Sequence, residues 1–168
     1  MKAIMAIDPG ISTGVAWGLF ETEGTTVRES MTTKQKSGST TIIGTEMEQA
    51  KALYELWHQF KIGAVQQHGI APDDVELIIE DFSLFPGGHA GGKEGVAPAR
   101  VGWAFEGYRQ GRAAKYRNDK HISPAIWQLP NALRNRKLLK KWDCWIRGRE
   151  HERAAWCHVG ERLRKVIT

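Results

Sequence analysis

The stretch from Ala3 to Trp17, AIMAIDPGISTGVAW, constrains this chain more than any other. An apolar run (Ala3, Ile4, Met5, Ala6, Ile7) reaches Asp8, turns at Pro9-Gly10 and resumes at Gly14-Val15-Ala16-Trp17. That pattern reads as two strands joined by a turn, with one carboxylate at the tip of the first. A buried carboxylate is costly to desolvate unless a metal ion or hydrogen bonds compensate it. Asp8 therefore either needs a partner elsewhere in the chain or caps its own turn through Asp-Pro-Gly chemistry.

A second core strand ends the same way. Val75-Glu76-Leu77-Ile78-Ile79-Glu80 is strongly apolar and finishes in Glu80 and Asp81. Two core strands that each present an acid at the C-terminal tip suit a metal site, since ligands of open α/β sheets gather at strand ends. Between them, Thr25 to Thr33 alternates as a third strand of an antiparallel meander, and Lys34 to Ser39 reads as a polar loop. Met47, Ala50, Leu53, Tyr54 and Trp57 recur at helical spacing, predicting a helix from near Ser39 or Thr45 to about Phe60 with those side chains in the core. Gly69 to Asp74 reads as a loop.

Beyond Glu80 the pattern loosens. Phe82 to Gly95 is glycine-rich and irregular, and Phe82, Leu84 and Phe85 are either an exposed wedge beside the acids or buried under the loop. Val101, Ala104, Phe105 and Tyr108 mark a helix ending near Gly111. Lys115 to Ile122 suggests a short edge strand, and Ser123-Pro124 has the form of a helix start. Asn131 to Trp145 is a basic, partly helical connection. A last helix covers Arg149 to Val166, with Ala155, Val159 and Leu163 inward and His151, Ala154 and His158 on an adjacent face at spacings of three and four.

At 168 residues the chain is expected to form one domain, 1–168, with a single core. No run of about 18 apolar residues predicts a membrane span, and the N-terminus enters the first strand without a signal-peptide pattern. Cys144 and Cys157 form neither a metal-ligand spacing nor a disulfide framework, which fits reduced thiols in a cytoplasmic protein. The formal charge of +5 is unevenly placed, with most acids before residue 95 and basic residues dominating from Arg100 onward. Such asymmetry points to a polyanion as partner, or to a solvated face.

AIDPGISTGVAW, followed by ELIIEDF and closed by GREHERAAWCH, resembles the RuvC-type Holliday junction resolvases of the ribonuclease H-like superfamily, especially their phage relatives. The resemblance runs through nearly the whole chain in order and spacing. It implies an α/β fold whose mixed five-stranded sheet combines an antiparallel N-terminal meander with parallel strands and is flanked by helices. It also implies a metal-dependent, structure-selective endonuclease that nicks four-way or branched DNA symmetrically and leaves 5′ phosphates, in recombination or phage debranching. The cofactor implied is Mg2+ or Mn2+, two ions per site, with no nucleotide cofactor. The setting implied is the cytoplasm, that of the host if the chain is phage-encoded.

Carried over residue by residue, Asp8 and Glu80 are metal ligands, Asp81 faces away from the site, and His151 is a ligand or orients water. Relatives place an Asp three residues after the His151 position, where this chain has Ala154. A two-ion phosphodiesterase needs several carboxylates to hold its cations against their mutual repulsion. Either the chain is a natural non-cleaving homologue, or Glu150 or Glu152 substitutes, or Ala154 is a deliberate Asp-to-Ala change. The last is preferred because the other site residues are kept.

Symmetric cutting implies a two-fold homodimer. Its candidate interface is the helix over 96–111, where Val101, Phe105 and Tyr108 either contact the partner or fill the chain's own core. Candidate phosphate contacts are Lys93, Arg100, Lys115, Lys120, Arg134, Arg136, Lys137, Lys140 and Lys141. The alternatives are a catalytically inactive branched-DNA-binding homologue, an actin-like or sugar-kinase-type ATPase built on the Asp8-Pro9-Gly10 turn, and a ribonuclease H cutting hybrids.

Overall fold

The computed structural model describes residues 1–81, 97–116, 124–128 and 136–167. Its strands are β1 (Lys2–Asp8), β2 (Ser12–Phe20), β3 (Gln35–Ile43), β4 (Val75–Glu80) and β5 (Ile126–Gln128). Its α-helices are α1 (Val27–Thr32), α2 (Glu46–Ile62), α3 (Ala97–Tyr116), α4 (Arg136–Lys141) and α5 (Glu150–Val166). The strands form one five-stranded sheet in the order β3-β2-β1-β4-β5. β1, β2 and β3 pair antiparallel, while β4 runs parallel to β1 and β5 parallel to β4. This is a mixed five-stranded α/β sheet, an antiparallel N-terminal meander joined to parallel strands, as the resemblance implies.

Alternation along the central strands sorts the core into two layers. Ala3, Met5, Ile7, Val75, Leu77 and Ile79 pack with Ala50, Leu53 and Trp57 of α2 and with Val101 and Phe105 of α3. Ile4, Ala6 and Ile78 pack on the opposite side with Ala155, Val159 and Leu163 of α5, joined by Met31, Leu139, Trp142, Cys144 and Cys157. Asp8 and Glu80 continue the second series, so both acids belong to the face that α5 covers. Both cysteines are buried, and burial pushes the Cys144 thiol up to about 12.

Several expectations are corrected. Thr25 to Thr33 is not a strand: residues 27–32 form α1, because Thr26 and Glu29 close a capping box in which each side chain bonds the other's backbone N–H. The third strand is instead β3, which takes up the supposed loop Lys34 to Ser39 apart from Lys34 itself; it is a polar edge strand whose chain carries little alternation. α2 meets the later of its two expected starts: it begins at Glu46, capped by Thr45 and Glu48 in a second box, and runs to Ile62. α3 runs on to Tyr116, so Lys115 lies in a helix rather than a strand. No helix opens at Pro124, since β5 follows at Ile126, and Ser123 lies outside the described residues.

Val101 and Phe105 are 1% and 0% exposed within this chain, which removes them as contacts to a partner. Tyr108 packs edge-on against Tyr54 at 5.5 Å between ring centroids. No described helix is long and apolar enough to cross a membrane.

Candidate active site

The parallel register pairs Ile7 with Ile79, and one residue further it sets Asp8 beside Glu80 at the tips of neighbouring strands. Both side chains are buried, Asp8 at 4% and Glu80 at 1% exposure. α5 crosses above them and supplies a partner for each. His151 Nδ1 lies 2.9 Å from Asp8 Oδ2, and His158 Nε2 lies 2.7 Å from Glu80 Oε2. One turn further along α5, Arg162 donates two bonds to Glu76, at 2.7 and 2.8 Å. Lys2 donates to the same carboxylate at 2.8 Å. Burial pushes the Glu76 carboxyl up, but Arg162 and Lys2 more than offset this and hold it below the ordinary range. One helix thus meets three carboxylates on one sheet face.

Gly14 is what lets α5 approach so closely. It pairs with Asp8 across the β1–β2 ladder, and a Cβ there would lie 2.5 Å from the Glu152 nitrogen and closer still to the His151 carbonyl. The turn carrying Asp8 is pinned from the other side. Gly10 N donates to Thr13 Oγ1, and Thr13 Oγ1 donates to Gln49 Oε1 at 2.5 Å. Gln49 Nε2 in turn donates to the carbonyls of Ile11 and Gly44, at 3.1 and 2.9 Å. Thr13 and Gln49 are both buried, so a polar cluster whose hydrogen bonds are made within the protein fixes the turn.

Glu152, considered above as a substitute ligand, is engaged elsewhere. It is fully buried and accepts from Ser39 Oγ at 2.6 Å, Thr41 Oγ1 at 2.8 Å and Arg149 Nη1 at 3.0 Å. Burial raises its carboxyl, yet these donors win and the net displacement is downward. Its role is to seat the first turn of α5 on β3. Glu150 is exposed and reaches Arg153 at 3.3 Å.

Ala154 is 4% exposed and lies three residues after His151 and four before His158, on the face turned to the two acids. Asp8 and Glu80 are hard oxygen donors of the kind a divalent magnesium-like ion takes. They fit such an ion in kind and fall short of two ions in number. Among the described residues no three His, Cys, Asp or Glu side chains are grouped so as to hold a metal ion.

Of the candidate phosphate contacts, Arg100 is exposed and pairs with Glu46 at 3.5 Å, and Lys137, Lys140 and Lys141 are exposed on α4. Lys115 and Arg136 lie on α3 and α4. Phe82, Phe85, Lys93, Lys120 and Arg134 lie outside the described residues. Sequence reasoning missed Thr13, Gln49 and Gln128, and it placed His158 on the right helix face without pairing it to Glu80. The seven-residue spacing from His151 to His158 was the available signal, since it repeats a side chain after two turns.

The architecture and this buried acid pair define an α/β domain with a strand-tip carboxylate site. No protein-family model matches the sequence, and no curated protein aligns with it. Among solved structures the chain is similar to the RuvC of Thermus thermophilus, with 14% identity and a TM-score of 0.46 over 99% of this chain and 98% of that one. A likeness this loose assigns no activity.

Proposed function

We propose that this chain is a resolvase-type nuclease domain for four-way or branched DNA, with its metal site reduced by one carboxylate at Ala154. The observation that carries the reading is the convergence of buried Asp8 and Glu80 on the one sheet face that α5 covers, where Ala154 is buried and the half-exposed His151 reaches Asp8. Two acids from separate strands are buried side by side there at a cost in desolvation that a purely structural role does not require. With an Asp at 154, three carboxylates would surround the same space.

In that form Asp8, Glu80 and residue 154 would hold divalent ions, which activate water and stabilise the leaving 3′ oxygen of an in-line displacement. His151 bonds Asp8 and keeps its carboxylate aimed, while Gly14 and the Thr13–Gln49 cluster keep helix and turn in register. The exposed lysines of α4 would take backbone phosphates and make binding fall steeply with salt.

Two symmetric cuts need two sites about a two-fold axis. The outward face of α3 suits that role better than its core face: Trp103 is 62% exposed, and Gly107 and Gly111 follow at intervals of four, with no atom of the described residues close to where a Cβ would stand. Ala154 also favours a second reading, a branched-DNA-binding protein that does not cut.

One comparison separates the two: the chain and its Ala154→Asp variant on synthetic four-way junctions with Mg2+. Junction binding by both and paired nicks from the Asp variant alone are expected. Binding without cutting by either would leave the binding protein. Equal affinity for junction and linear duplex would remove the resolvase reading.

A further inference from the structure

Gln128, His158 and Glu80 form a buried chain of side chains that the phosphodiester chemistry above leaves unexplained. All three are nearly or fully out of solvent, at 6%, 0% and 1% exposure. β5 pairs Gln128 with Glu80 in the ladder, and Asp81 N donates to the Gln128 carbonyl at 2.6 Å. Gln128 Oε1 lies 3.1 Å from His158 Nδ1, and His158 Nε2 lies 2.7 Å from Glu80 Oε2.

A buried imidazole placed between an amide and a carboxylate has little freedom to rotate. Gln128 Nε2 is buried without a hydrogen-bond partner among the described residues, so the ring can be met by either atom of the amide. With Nε2 towards the ring the amide donates to Nδ1, and a neutral imidazole then gives its Nε2–H to Glu80; with Oε1 towards the ring it accepts from Nδ1–H, and the bond to an ionised Glu80 then takes a ring with a proton on each nitrogen. In either orientation of the amide, Nε2 of His158 is the atom that faces Glu80.

We infer that His158 is a positioning residue for the metal site, holding Glu80 at the angle from which it binds a divalent ion, with Gln128 steadying the ring from β5. The inference rests on the nuclease reading of the site. It assigns His158 no contact with substrate. Outer groups that orient a ligand change metal affinity by about 10- to 100-fold when removed, and that is the scale expected here.

The test uses the full chain carrying Ala154→Asp and reads Mn2+ binding by electron paramagnetic resonance, without DNA. His158→Phe, which keeps the ring volume and loses both bonds, should weaken Mn2+ binding about 10- to 100-fold. His158→Gln, which can still donate to Glu80, should recover part of the loss. Gln128→Leu leaves His158 in place and should show a smaller loss, and it serves if His158→Phe does not fold. A second readout is the Mg2+ midpoint for junction cutting, which should rise in the same order while junction affinity holds.

Unchanged Mn2+ affinity in folded His158→Phe, or in Gln128→Leu should the former not fold, overturns this inference and leaves the nuclease reading standing. An Ala154→Asp protein that binds no Mn2+ at all overturns both together.

Discussion

Gly14→Ala is the sharpest test of how the site is assembled. The new Cβ would lie 2.5 Å from Glu152 N, where ordinary contact begins at 3.4 Å, so backbone must separate by at least 0.9 Å (3.4 minus 2.5). The opposing atoms are main chain of the first turn of α5, and no side chain can swing aside. Overpacking of this kind costs about 1–3 kcal/mol, and the rigid partner argues for roughly 3. For a chain of this size that corresponds to a fall in Tm of roughly 6–12 °C. The displacement falls between Asp8 and His151, whose bond spans 2.9 Å and would open. Thermal unfolding followed by circular dichroism measures the first effect, and the His151 ring resonances report the second. A Gly14→Ala protein with the parent's Tm and an undisturbed His151 would refute this account of why α5 lies where it does.

Two further outcomes follow from the geometry. Glu76 and Glu152 both titrate below their ordinary value of 4.5 in the folded chain. The unfolded chain therefore binds protons first, and the stability these groups contribute is present above about 4.5 and lost as pH falls through their folded values; Glu152→Gln should flatten that acid slope in a series of melts, and an unchanged slope would contradict it. Trp103→Glu should give a monomer by sedimentation with Tm nearly unchanged, because the ring is 62% exposed and makes little of the chain's own core; a persisting dimer would move the interface off α3.

The parts of the fold legible in the sequence are those where one physical signal acts alone. β1 and β4 are buried on both faces, so they read as continuous apolar runs ending in acids. α5 reads from its inward stripe of Ala155, Val159 and Leu163. At α1 two signals compete: TTVRESMTT alternates like a strand, while its Thr26–Glu29 box, equally present in the sequence, starts a helix and prevails. β3 carries no strand signal in its sequence because it is an edge strand whose Ser39 and Thr41 face Glu152 instead of an apolar layer. At the candidate site, Asp8, Glu80 and His151 are legible as candidates from their places at strand tips and on a helix. Gln49 and Gln128 were not, since a glutamine acquires its role only through partners 36 and 30 residues away, Thr13 and His158.

On the proposed nuclease reading, position 154 also sets how the domain's stability would answer to metal. In this chain Asp8 has His151 and Glu80 has His158 as partners within the fold, and the buried methyl between them adds no charge. Replacing it with Asp puts a third carboxylate at a position 4% exposed, facing two others. A buried charged group without a compensating partner costs about 1–3 kcal/mol or more, which lowers Tm by roughly 2–12 °C for a chain this long. A divalent ion bound only by the folded form returns about 2.7 kcal/mol at one hundred times its Kd. Ala154→Asp should therefore melt below the parent without Mg2+ and regain most of the difference with it, whereas the parent should respond weakly. Differential scanning calorimetry at matched ionic strength reads both. An Ala154→Asp protein as stable as the parent and indifferent to Mg2+ would mean that position 154 does not face the acids, and the carboxylate site would have to be redrawn around Asp8 and Glu80 alone.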